Sequence, residues 1–96
     1  MYMLITYDVN VETPEGRRRL RRIAKLCVNH GQRVQNSVFE CKLDPAMWVK
    51  LKSELIREID PSRDSLRFYH LGNHWQERTE HYGTRSGYDP DGPLIV

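Results

Sequence analysis

The sequence predicts an α+β domain with the ferredoxin-like βαββαβ order and one extra C-terminal strand, paired with a second copy through the sheets. Three observations carry this. An almost wholly apolar run, Tyr2 to Val9, opens the chain as a strand. Two stretches with apolar residues at helical spacing, each opened by a capping residue and a proline, alternate with further strand-like runs. The first strand also has apolar residues on both faces. Two helices cover only one face of such a sheet, so the other needs a second copy.

The first strand ends in a carboxylate. Met3, Ile5 and Tyr7 point one way, and Tyr2, Leu4, Thr6 and Asp8 the other. A charge at the mouth of a buried strand needs a hydrogen-bond network, a partner or a metal. Asp8 therefore either receives backbone N–H groups where the loop begins or serves chemistry.

Thr13, Pro14 and Glu15 start the first helix, which runs to about Asn29 with His30 and Gly31 as its stop. Leu20, Ile23, Ala24, Cys27 and Val28 form its apolar face. Arg17, Arg18, Arg19, Arg21, Arg22 and Lys25 crowd the rest, with no glutamate between Gly16 and Phe39. Like charges at i, i+4 repel, so the cluster costs helix stability. A dense basic face of this kind fits a phosphate backbone, and the residues are assigned to nucleic-acid binding, with a merely solvated basic face as the competing reading.

Two short strands follow, Gln32 to Gln35 and Ser37 to Leu43, joined by a bend at Asn36; one bent strand is the competing reading. Arg33 is placed to meet a ligand or a carboxylate, and Phe39 reads as core. Asp44 and Pro45 open the second helix, which runs to about Ile59 with Trp48, Leu51, Leu55, Ile56 and Ile59 inward. Its outer face mixes lysine, arginine and glutamate as a plain solvent face does. Asp60-Pro61-Ser62 breaks it. Ser65 to Leu71 is the fourth strand, with Leu66, Phe68 and His70 opposite Arg67, Tyr69 and Leu71. Residues 1–72 thus make the domain. Residues 73–96 are expected to form a further strand, within Trp75 to Tyr82, and a tail that crosses to the other protomer or a partner. Apolar Pro93-Leu94-Ile95-Val96 suggests such docking, with a simple disordered tail as the competing reading.

Ninety-six residues and a formal charge of +2 bound the remaining classes. Cys27 and Cys41 are too few and too far apart for a disulfide framework or a CxxC motif, which fits reduced, buried thiols of a cytoplasmic protein. The chain opens on a strand without a basic n-region or cleavage site, and no apolar run approaches membrane-spanning length. The sheet lacks the aromatic cluster with which RRM-type modules stack bases.

Tyr7-Asp8-Val9, the arginine-rich helix, Gly31-Gln32-Arg33-Val34-Gln35-Asn36-Ser37-Val38-Phe39-Glu40-Cys41, Asp64-Ser65-Leu66-Arg67-Phe68-Tyr69 and the terminal Pro93-Leu94-Ile95-Val96 form an ordered set. Together they resemble the smaller of the two core CRISPR adaptation proteins, the CRISPR-associated endoribonuclease family two, over essentially the whole chain. The resemblance implies a homodimer whose last strand crosses between protomers. It implies that Asp8, one from each protomer, holds Mg²⁺ (or Mn²⁺) and that the protein cuts single-stranded RNA or double-stranded DNA. Tyr7, Arg33 and Ser37 would position the phosphate and Phe39 would shape the site. It also implies a CRISPR integrase as partner, with the non-catalytic DNA-binding scaffold as the alternative function.

Overall fold

The computed structural model describes residues 1–72 and 79–84. Its elements are β1 (Tyr2–Asp8), α1 (Pro14–His30), β2 (Gln32–Gln35), β3 (Val38–Lys42), α2 (Pro45–Glu58), β4 (Ser65–Leu71) and β5 (Thr79–Gly83). They form one antiparallel sheet in the order β2-β3-β1-β4-β5. The ferredoxin-like arrangement is therefore present, with β5 added beside β4.

Both helices start where their caps predict. The Thr13 hydroxyl accepts from the Gly16 amide at 3.1 Å, and the Asp44 carboxylate from the Met47 amide at 2.8 Å. Each cap satisfies one of the amides that a helix N-terminus leaves unpaired, and a proline follows each. Both helices lie on one face of the sheet. Ile23 and Cys27 of α1 and Trp48, Leu51 and Leu55 of α2 pack on Met3, Ile5, Tyr7, Phe39, Cys41, Leu66 and Phe68. Period-2 alternation thus separates β1 into a helix-covered row, Met3, Ile5 and Tyr7, and a row on the other, open face, where Tyr2 and Asp8 are exposed and Leu4 and Thr6 half-buried. Val28, expected on the buried stripe of α1, is 54% exposed, because the stripe drifts off the sheet in the last turn.

The segment after α1 is two strands. Asn36 and Ser37 turn between β2 and β3, and the register slips between Arg33 and Gln35. The strand expected within Trp75 to Tyr82 is Thr79–Gly83, and it pairs with β4 of its own chain, Tyr69 opposite Thr79 and Ser65 opposite Gly83. Residues 75–78 and the tail after Thr84, including Pro93–Val96, lie outside the described residues. β5 is also fastened to α2. Glu80 bonds Lys52 and the Tyr82 hydroxyl through one oxygen and His70 Nε2, at 2.7 Å, through the other. No helix is long and apolar enough to cross a membrane among the described residues.

Candidate acidic site and nucleic-acid face

Asp8 is the last residue of the central strand, and its side chain is exposed on the open face. It lies beyond the last β1–β3 pair, Thr6 with Val38, and pairs with Ser65 of β4. A charge left in water needs no internal partner. The network anticipated for a buried Asp8 is accordingly absent among the described residues, as is any group of three metal-ligating side chains. At this strand end one chain offers a single carboxylate, Asp8, without a partner among the described residues.

Tyr7, Arg33, Ser37 and Phe39 come together, but on the other side of the sheet. Tyr7 is buried and stacks on Phe39 with ring centroids 6.1 Å apart. The Arg33 guanidinium sits over the Phe39 ring at 5.1 Å, and the Ser37 carbonyl accepts from the Tyr7 amide at 3.1 Å. Burial pushes the Tyr7 phenol up, as does Cys27, while Arg33 and Ser37 pull it partly back. Adjacent residues of a strand point to opposite faces, so Tyr7 and Asp8 cannot line one pocket within a chain. Phe39 is core, fully buried, and shapes the packing beneath β1.

The basic residues of α1 divide as well. Arg17, Arg18, Arg21 and Lys25 are exposed. Arg17 donates to the Val11 carbonyl at 3.1 Å, which steadies the β1–α1 loop, and Arg18 lies 3.8 Å from Glu15. Arg22 reaches Glu58 of α2 at 3.1 Å and remains mostly exposed. Such surface pairs contribute little and release easily to a phosphate.

Arg19 departs from the group. Its Nε donates to Asp64 Oδ2 at 2.8 Å and its Nη2 to Oδ1 at 3.3 Å. Asp64 is fully buried, and its two oxygens also accept from the amides of Asn10 at 3.0 Å and Asp60 at 2.8 Å. The bond to Asp64 holds the Arg19 guanidinium above its ordinary range. A buried carboxylate requires such compensation, and the forked geometry supplies it. Asp64 stood in the sequence only as part of the family-like set, without a role, because a lone aspartate before a strand has no periodic signature. Arg19 did carry a signal. It precedes Ile23 by four and Cys27 by eight, which puts it in line with the buried stripe.

Comparison with known proteins agrees with this architecture. The profile of the family described as CRISPR associated protein Cas2 matches residues 1–79. A protein of Chlorobaculum tepidum named CRISPR-associated endoribonuclease Cas2 is 65% identical over 96 residues, covering all of both chains. Its namesake from Nitratidesulfovibrio vulgaris is 58% identical, covering all of this chain and 94% of its own. The crystal structure of Streptococcus pyogenes Cas2 at pH 6.5 superposes with a TM-score of 0.70 at 60% identity, covering 86% of this chain and all of that one.

Proposed function

We propose, from the premise that this chain belongs to the Cas2 family of CRISPR adaptation proteins, that it is a Mg²⁺-dependent endonuclease working as a homodimer. The observation that carries the reading is Asp8: an exposed carboxylate with no partner among the described residues, at the end of the central strand, on the face the helices leave uncovered. Mg²⁺ takes oxygen ligands, keeps several waters and is commonly held by one or two carboxylates plus substrate phosphate. The donor chemistry of Asp8 fits that ion, and a two-fold axis through the open face would supply a second Asp8. Asp8 and its two-fold mate would hold such an ion, which would supply a more acidic water and charge stabilisation at the phosphate.

This chain's residues do the remainder. Arg17, Arg18, Arg21, Arg22 and Lys25 gather the phosphate backbone along α1. Tyr7 and Phe39 anchor the strand end from beneath. Arg33 and Ser37 hold the β2–β3 turn against it.

The test is cleavage of labelled single-stranded RNA and double-stranded DNA by wild type and Asp8→Ala, with Mg²⁺, Mn²⁺ or EDTA. Loss of at least about a hundredfold in both Asp8→Ala and EDTA is expected. Equal cleavage by matched, highly purified Asp8→Ala would refute it, and the more active nucleic acid identifies the substrate.

The second reading is a DNA-binding scaffold that joins the CRISPR integrase without cutting. The exposed basic row of α1 favours it. Under it, deletion of residues 88–96 abolishes integrase capture in a pull-down and leaves the dimer and DNA binding intact. Full capture by the truncated chain would sink the tail's role.

A further inference from the structure

We infer that Arg19 and Asp64 are positioning residues for Asp8, and that Arg19 is not a nucleic-acid contact. The inference rests on the reading of Asp8 as the working carboxylate. The end of β1 is supported from one side: β3 has finished at Thr6–Val38, and beyond Tyr7 the remaining ladder partner is Ser65. Asp64 stands next to Ser65 on the helix-covered side. Its Oδ1 takes the Asn10 amide, two residues past Asp8, at 3.0 Å. The clasp thus grips the backbone from beneath while Asp8 faces outward above.

Arg19 fixes the clasp's orientation, because its two donors occupy both oxygens of Asp64. Gly16 seats the same loop. A Cβ on Gly16 would fall 1.9 Å from the Asn10 carbonyl oxygen and 3.4 Å from Arg19 Nη2. The opposite end of the junction is as close: a Cβ on Gly83, where φ is +92°, would fall 2.1 Å from the Asp64 carbonyl oxygen, and the Thr84 amide donates to that oxygen at 2.9 Å. Asp64 therefore joins the β1–α1 loop, α1, the α2–β4 loop and the end of β5. Small misplacement of a reacting group costs up to about a hundredfold in rate, so this fixity matters to Asp8.

The experiment uses the full-length chain with Arg19→Gln, Arg19→Lys and Gly16→Ala, the last displacing Asn10 without changing any charge. Three readouts are taken: the salt dependence of binding to a labelled duplex, kcat and KM of cleavage, and amide exchange at Asn10 against Ile5. Arg19→Gln is expected to keep the wild-type salt slope, whereas Arg21→Gln lowers it by about 0.9. Arg19→Gln and Gly16→Ala lower kcat about ten- to a hundredfold with KM unchanged. Arg19→Lys recovers part of the loss. Asn10 exchange accelerates in both impaired variants while Ile5 stays protected.

A slope reduced by about 0.9 in Arg19→Gln would make Arg19 a phosphate contact and overturn the inference. So would wild-type kcat in both Arg19→Gln and Gly16→Ala, or an unchanged Asn10 exchange rate. If wild type itself shows no Asp8-dependent cleavage, the nuclease reading has failed separately. The inference then stands or falls on Asn10 exchange and the salt slope.

Discussion

Asp8 and Tyr7 are neighbours in sequence with opposite fates. Asp8→Asn is expected to change stability by no more than about 0.5 kcal/mol, as for an exposed residue with no partner among the described residues. Phe39→Ala, which empties the space beneath Tyr7, should cost about 3–5 kcal/mol. Urea unfolding of the two variants measures the contrast, and a large loss in Asp8→Asn would mean that the carboxylate has a structural partner. The thiols give a second check at this scale. Burial pushes Cys27 up to about 12, with Cys41 adding to it, and burial pushes Cys41 up to about 11, with Glu40 adding to it. Both are protonated near neutral pH, so a thiol reagent at pH 7.5 should modify neither in the folded protein and both after denaturation. The opposite faces of Tyr7 and Asp8 were legible from strand alternation alone. Gathering both into one site came from resemblance, and alternation prevails within a chain. The role of Asp64 was not legible, since its bond to Arg19 spans 45 positions and no local pattern encodes a contact at that range.

Caps, prolines and apolar spacing located α1 and α2 within a residue or two, because these signals are local. The partners of their outer faces are not local: Glu58 on α2 answers Arg22 on α1, and Lys52 on α2 answers Glu80 on β5. The Glu80 clasp has a definite pH dependence. Burial alone would raise the Glu80 carboxyl, but the bonds from Lys52, His70 and Tyr82 outweigh it and hold it below its ordinary 4.5. A depressed folded-state pKa stabilises above the unfolded value and ceases to do so as the pH falls through the folded one. Lys52, raised by Glu80, loses its share only as the pH climbs past its ordinary 10.5. Below about pH 4.5, then, β5 should loosen from α2 before the sheet core does. NMR shifts of Thr79–Gly83 should move together over that range, and Glu80→Gln should flatten the response. On α1, neutralising Arg17, Arg18 or Arg21 should each lower the duplex-binding salt slope by about 0.9. An unaltered slope in the triple variant would move the nucleic-acid face elsewhere.

Among the described residues one sheet face carries no helix, although Arg67 and Tyr69 of β4 are buried on it. Tyr2 is 49% and Leu71 38% exposed there, directly opposite each other in the β1–β4 ladder. Light scattering of the wild type should return twice the mass of one chain, and Leu71→Asp should return one. A monomeric wild type would remove the second Asp8 on which the metal reading depends. The sheet order has one more consequence, in time rather than space. β1 is synthesised before both of its neighbours, β3 and β4. Non-local pairing of this kind folds slowly and leaves a strand waiting in the growing chain. Asp8 is made before every strand that flanks it. It acquires a fixed address only after residue 64 has left the ribosome and closed over the backbone behind it.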